Sequence, residues 1–376
     1  MPFDLNTHLK ELAAVAAPSG HEGLARAAIR AAWSPLADTL DSDGLGSLIA
    51  VKHGTGPAPR RRVMLCAHMD EIGLIVAEVR DGFIRTSPLG GVDYRVLLSQ
   101  PVLVHGRRML PGVFGAAPPH MALSRKRYPD SGELWVDVGL PADEVAALVR
   151  VGDLLTFDAP PLDLKTHKIA AKSLDNRASV AAVTQCLHAL AGRSHAWDVV
   201  AVAAVQEEVG SHGAVAAAYK TQPDIAIALD VTYGTQRGVG DDESFALNGG
   251  PTVSRGPNFH ARLVKAFRDV ARDHDAKLQV EAMPGDSLTD AWLLQVSGEG
   301  VPTLLIGIPL RNMHTPVEVV DVRDVKRAGR LLATFIAGLE PDFLESLAWT
   351  DEDGGGDDHD NDDGDNNDDN DGDGDA

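Results

Sequence analysis

The stretch VVAVAAVQEEVGSHG, residues 199–213, opens with an unbroken run of small or β-branched apolar residues, Val199 to Val205, and passes directly into the acid pair Glu207 and Glu208. An apolar run without alternation predicts a strand buried on both faces, as in a parallel sheet covered by helices. A pair of acids at the mouth of such a strand needs a physical reason.

The same pattern recurs along the chain. Arg62 to Ala67 (RVMLCA) runs into His68-Met69-Asp70, Ile225 to Leu229 (IAIAL) ends in Asp230, and Val301 to Ile308 leads through a short loop to His314. In open α/β sheets ligands sit outside the carboxyl ends of the strands, where residues far apart in sequence converge. Histidines and carboxylates gathered at several strand ends form a metal-ligand inventory.

Composition narrows the alternatives. The 376 residues can hold two domains, and 44% hydrophobic content is ordinary for a globular protein. No apolar run approaches a membrane span, and the N-terminus has no basic segment followed by an apolar one, so the expectation is a soluble cytoplasmic protein without a membrane partner. Cys66 and Cys186 fall inside a predicted strand and a predicted helix and read as buried free thiols. The net charge of −21 argues against a nucleic-acid partner, which would need a basic face. Much of that charge follows Thr350, in a segment that has no apolar residue except Ala376 and reads as a disordered, solvating tail. Asp369 to Gly374 matches the first half of a calcium-binding loop, but the chain ends before the closing glutamate. Arginine outnumbers lysine in the rest of the chain, a balance that fits a high-salt cytoplasm.

In chain order, helical spacing covers Asp4 to Ala16 and Glu22 to Trp33, and strands follow around Leu48 to Val51 and Val63 to Ala67. After Asp70 the texture changes to short alternating runs, at Ile72 to Val79, Phe83 to Thr86, Val102 to His105, Gly112 to Phe114 and Leu134 to Val138, separated by Gly, Pro and Asp turns. That is the signature of a small β-barrel or sandwich. Helix and strand alternate again from Ile169, with helices at Arg177 to Leu190, Gly213 to Tyr219, Asn258 to His274, Asp290 to Gln295 and Arg323 to Leu339. The chain thus divides into a discontinuous α/β domain, residues 1–70 and 164–345, an inserted β-domain, residues 71–163, and the tail, residues 350–376.

Each candidate residue also has a plain reading. Glu207 and Glu208 alone would be a solvated acidic turn, and Asp175 at a helix start would be a cap. Neighbouring side chains at a strand end point in opposite directions, which would give the two acids two roles, metal ligand and general base. His68 and Asp70, two apart on an extended chain, share a face, so Asp70 can steady the imidazole from behind. Asp230 at the end of an apolar strand is costly unless paired or metal-bound. His314, in Asn-Met-His-Thr-Pro, is uninformative alone. His21, His105, His120, His167, His212 and His260 lack strand-end placement and read as structural or surface residues.

The segments APSGHEG (17–23), AHMDEIG (67–73), PLGGVD (88–93), PGVFGAAPPH (111–120), AKSLDNR (171–177), VQEEVGSHGA (205–214), LDVT (229–232), TDA (289–291) and MHTPVE (313–318) together resemble the M42 family of metallo-aminopeptidases. That family includes tetrahedral, self-compartmentalising enzymes, and some members carry glutamyl aminopeptidase or endoglucanase names. The resemblance covers about residues 5 to 340. It implies a zinc-peptidase-like α/β fold, a mixed sheet flanked by helices, with an inserted small β-barrel. It further implies two divalent metals per subunit, zinc or cobalt with manganese as an option. Asp175 would bridge them, one metal completed by His68 and Asp230 and the other by Glu208 and His314. Glu207 would be the general base on a metal-bridging water, with Asp70 behind His68. Peptides are the implied substrates, and the implied partner is the chain itself, in dimers formed through the β-domain and dodecamers built from them.

Rival readings share parts of this pattern. A deacylase or carboxypeptidase could use the same dimetal core and would differ in which end of a peptide it trims. An endoglucanase needs two carboxyls facing across a sugar, about 5–9.5 Å apart, which an adjacent diverging pair does not supply. A non-catalytic assembly protein would have lost a ligand or the base, and all are present.

Overall fold

Apolar runs without alternation become the interior of an 11-stranded mixed sheet. The structure, a computed structural model, describes residues 3–118 and 132–349. The expected acidic tail, with its partial calcium-loop match, and His120 lie outside the described residues.

Along the main path the strands run Thr39–Ser42, Leu48–Lys52, Asp198–Ala204, Arg62–His68, Ile225–Tyr233, Thr303–Arg311, Glu318–Asp321, Lys168–Ala171 and Leu162–Asp163. The strand Asp198–Ala204 is buried at every position, as its composition requires. It lies parallel to Arg62–His68, which is parallel to Ile225–Tyr233, which is in turn parallel to Thr303–Arg311. These carboxyl ends therefore open on one edge of the sheet. The register pairs Ala204 with His68, Cys66 with Ala228, and Asp230 with Gly307, so His68 and Asp230 stand at one level beside the Glu207–Glu208 turn.

Helices cover the sheet. Leu174–Leu190 is rich in Ala and Val and buried on nearly all sides, and it packs against Val322–Ala337, which buries Val325, Leu332, Phe335 and Ile336. The second cluster of buried apolar residues belongs to a closed antiparallel barrel of Gly73–Arg80, Phe83–Leu89, Trp135–Asp137, Met109–Gly115, Pro101–His105 and Leu154–Phe157. A mixed sheet flanked by helices with a small β-barrel is thus the architecture that the sequence and its resemblance predicted. Among the described residues no helix is long and apolar enough to cross a membrane.

Some elements are not legible from composition. Thr39–Ser42 and Gln279–Ala282 alternate between exposed and half-buried positions, and Leu162–Asp163 is exposed at the sheet edge. The helix Ala142–Leu148 and the strand Leu154–Phe157 complete the barrel region without having been expected. Asp230 does not end its strand, because pairing with the neighbouring strand carries it on to Tyr233. The two cysteines are free and buried, as expected.

A buried ion pair joins barrel, sheet and N-terminal segment. Glu71, at the entry to the barrel, accepts hydrogen bonds from the Ala17 amide at 2.7 Å, from Lys172 Nζ at 2.7 Å and from the Ser173 hydroxyl. Burial pushes the Glu71 carboxyl up, but the charges of Lys172 and Arg177 and these hydrogen bonds outweigh it and hold the carboxyl below its ordinary value. A carboxyl depressed in the folded state contributes stability that is complete above its unfolded value and lost as pH falls through the folded one. Glu71→Gln is expected to lower the free energy of unfolding at pH 7 by about 3–5 kcal/mol, because Lys172 is left buried without its counter-charge. The loss of stability on acidification should flatten in the same variant; chemical denaturation at a series of pH values checks both effects.

Candidate metal centre and active site

Asp175 is the centre of the site because each of its carboxylate oxygens faces a different histidine. Oδ1 lies 3.2 Å from His68 Nε2, and Oδ2 lies 3.3 Å from His314 Nε2. Asp230 Oδ1 stands 3.7 Å from His68 Nε2, and Glu208 Oε2 stands 3.6 Å from His314 Nε2. The ligand atoms thus form two groups, His68 with Asp175 and Asp230, and Asp175 with Glu208 and His314; within each group they lie within 4.8 Å of one another.

Asp175 is not an ordinary helix cap. Ser173 occupies the cap position of Leu174–Leu190, while Asp175 and Asn176 have non-helical backbone angles inside the first turn. That excursion is pinned at both residues. The Asp175 amide donates to Glu318 Oε2 at 3.0 Å, and the Asn176 side chain donates to the Leu229 carbonyl at 2.9 Å, next to Asp230. Glu318 Oε1 also accepts the His314 amide at 2.9 Å, so one buried carboxylate spaces Asp175 from the loop histidine.

The acid pair is held by Asp70. Its Oδ1 accepts the Glu207 amide at 3.0 Å and its Oδ2 accepts the Glu208 amide at 3.2 Å and the Ser19 hydroxyl at 2.7 Å. Asp70 Oδ1 is also 3.5 Å from His68 Nδ1, without hydrogen-bond geometry, so its strongest contacts are to the turn rather than to the imidazole. The strand has ended by this point, and Gln206 adopts a left-handed conformation with φ 59°. The two glutamates consequently do not diverge as extended-chain geometry predicted. Both line one chamber of about 570 Å³, Glu208 beside His314 and Glu207 with Oε2 3.8 Å from His68 Nε2.

The barrel reaches into this chamber. Gly91, just past the strand Phe83–Leu89, accepts a hydrogen bond from His314 Nδ1 at 3.2 Å, which leaves the lone pair of Nε2 facing Asp175 and Glu208. A Cβ on Gly91 would lie 2.4 Å from that Nδ1, so a glycine is required for the approach. Among the described residues the remaining histidines join neither group. His105 bonds the Thr156 hydroxyl at 2.8 Å, His212 bonds Gln206 at 3.2 Å, His260 packs at a tilt against Trp349, and His21 and His167 are exposed.

The electrostatics show what the cluster needs. Burial, followed by the charges of Asp230, Asp290 and Asp175 and opposed by His68, pushes Glu207 up to about 9. Burial and the charge of Asp175 push Glu208 well above the carboxylate range, and burial raises Asp230. Burial would raise Asp175 as well, but His314 and His68 together hold it well below its ordinary value. Asp290, buried beneath Glu207, is pushed up to about 7, first by burial. Carboxylates packed this densely repel one another unless cations sit among them, and mixed histidine and carboxylate donors suit divalent metals. The donor set fits two ions.

Sequence reasoning named the five residues of the two groups and missed the side chains and backbone around them: Glu318, Asn176, Ser19, Asp290 and Gly91. All of them fall inside the quoted segments, but nothing in their own spacing distinguished them.

The glutamyl aminopeptidase family M42 matches residues 46–331. The lysyl aminopeptidase of Pyrococcus furiosus is 36% identical over 318 residues, 81% of this chain and 89% of that protein. An aminopeptidase structure from the archaeon Desulfurococcus kamchatkensis superposes with a TM-score of 0.85 at 34% identity, covering 92% of this chain and 98% of that one. The TET1 peptidase of Pyrococcus horikoshii, described as assembling into a tetrahedron or a large octahedral shell, gives a TM-score of 0.79 at 27% identity, covering 89% of this chain and 100% of that one.

The Gly91 contact is testable apart from turnover. Gly91→Ala is expected to displace His314 and weaken divalent-cation binding by roughly 10–100-fold, the usual effect of disturbing a ligand's supporting contact. Calorimetric titration of the metal-stripped protein with zinc checks it, with the thermal melt as the control for folding.

Proposed function

The chain belongs to the M42 glutamyl aminopeptidase family and is a peptide-bond hydrolase acting at peptide N-termini; on that premise we propose that it works as a cocatalytic dimetal enzyme. The observation that carries this reading is the placement of Asp175, with one oxygen toward His68 and the other toward His314. In this reading His68, Asp175 and Asp230 would hold one divalent ion, and Asp175, Glu208 and His314 would hold a second. Zinc and cobalt suit these donors, and manganese is accepted by the same chemistry.

Bound divalent cations would supply Lewis acidity, making a water easier to deprotonate and a peptide carbonyl easier to attack. The chain's own residues do the rest. Glu207 belongs to neither ligand group yet stands beside both, with Oε2 3.8 Å from His68 Nε2, and it takes the proton of the attacking water. It then returns that proton to the nitrogen of the leaving amine as the C–N bond breaks. A carboxyl pushed upward by burial and like charge is suited to holding a proton briefly and giving it back. Asp70 keeps Glu207 in place through its backbone amide, and Ser211 Oγ stands 3.5 Å from Glu207 Oε1. The anionic chamber favours the positively charged free α-amino group of a peptide over a blocked one.

The same reading gives the other parts of the chain their tasks. Residues 1–70 and 164–345 form the dimetal domain, and residues 71–163 form the β-domain through which copies associate. The assembly described for the TET1 peptidase of Pyrococcus horikoshii supports a homo-oligomer here.

The test uses a panel of free and N-acetylated peptides, with the enzyme stripped of metal and reloaded with zinc, cobalt or manganese. Cleavage is expected only with metal and only at free N-termini. Trimming from the carboxyl end, or equal cleavage of blocked peptides, would sink the proposal. Glu207→Gln is expected to bind metal and assemble normally while losing turnover by roughly 10²–10⁴-fold. Unchanged turnover in that variant would refute the base assignment.

A further inference from the structure

The chamber that holds the metal ligands extends to a carboxylate that the reaction does not use. Glu281, on the exposed strand Gln279–Ala282, turns its side chain into the same chamber as Asp175 and Asp230. Its Oε1 accepts the Thr232 hydroxyl at 2.8 Å, and its Oε2 accepts the Thr252 hydroxyl at 3.0 Å and lies 3.5 Å from the Ser254 hydroxyl. Hydroxyls aimed at both oxygens fix the carboxylate as an acceptor and leave part of its acceptor capacity free. Among the described residues no Lys, Arg or His lies within ion-pair distance of it.

Position relative to the ligands follows from strand geometry. Asp230 and Thr232 are two apart on one strand and share a face, separated by roughly 6.5 Å at the usual rise. Because Glu281 bonds Thr232, its carboxylate stands about one long side chain away from the ligand cluster. Tyr233, Met283, Trp292 and Leu305 add apolar surface to the lining of the same chamber. Opposite Asp230 the neighbouring strand carries Gly307, where a Cβ would lie 2.3 Å from the Thr252 hydroxyl oxygen that supports Glu281. Asp286 adds another carboxylate to the chamber lining.

We infer that Glu281 selects a cationic N-terminal residue, lysine or arginine, whose apolar stem lies along the chamber wall and whose charged head meets the Glu281 carboxylate. This inference rests on the aminopeptidase reading and names the substrate class for that site. Burial pushes the Glu281 carboxyl above its ordinary value, and the hydroxyls of Thr232, Thr252 and Ser254 offset only part of that rise. An incoming ammonium or guanidinium supplies the counter-charge that the protein withholds, whereas an acidic side chain meets like charge. Norleucine, which has the lysine stem without the charge, gains the apolar contact alone.

The experiment compares kcat/KM for lysyl, arginyl, norleucyl and glutamyl p-nitroanilides in the metal-loaded enzyme and in Glu281→Gln. The wild type is expected to favour the lysyl or arginyl substrate over the norleucyl one by at least about tenfold, and the variant should bring that ratio toward one. A wild-type ratio at or below one, or a faster glutamyl substrate, overturns the inference without any variant. An unchanged ratio in folded Glu281→Gln overturns it as well. If none of the substrates is cleaved, the aminopeptidase reading fails and this inference falls with it. Cleavage without preference for a cation removes this inference alone.

Discussion

Buried negative charge at the ends of parallel strands is the constraint around which this molecule is arranged. Asp70, Asp175, Glu207, Glu208 and Asp230 converge on His68 and His314, and burial would expel every one of those charges without compensation. The structure answers in two ways. Some carboxylates are satisfied by the protein, as Asp70 is by two amides and a hydroxyl. Others are left facing one another around Asp175, and such a group is at rest only when cations lie between its members.

The sheet alone does not complete this arrangement. His68 and Asp230 come to one level through strand register, but His314 sits on a loop and takes its orientation from Gly91, which follows a barrel strand. The Glu71 and Lys172 pair ties the entry of the barrel to the strand that leads into Asp175. The barrel therefore reaches beyond its own core, since Gly91 at its rim accepts a hydrogen bond from His314 Nδ1. Glu318 has the matching role on the other side, with one oxygen for the Asp175 amide and one for the His314 amide.

Rigidity and openness are divided within one chamber. At one end of it His68, Asp175 and Asp230 are buried, while Glu207, Glu208 and His314 are partly exposed. Its lining also includes Glu281, the apolar side chains Met283 and Trp292, and Leu288, which is exposed. On the reading proposed above, the first end would carry the chemistry and the second would select the side chain.

What the sequence by itself determined is whatever depends on local composition. Unbroken apolar runs such as Val199 to Val205 can be stable only as buried strands, alternating runs after Asp70 only as a sheet with distinct faces, and acids directly after buried strands only near a compensating partner. Those features made the α/β architecture, the barrel and the ligand-type residues legible. Tertiary structure alone decided the rest. Glu207 and Glu208 face one chamber because a left-handed Gln206 turns the chain, and Asp175 leaves the helical path because Glu318 and Leu229, distant in sequence, hold it there. Gly91, Glu318 and Glu281 carry no local signal of their roles, because each acts on a residue from another element, and such contacts exist only once the strands are in register.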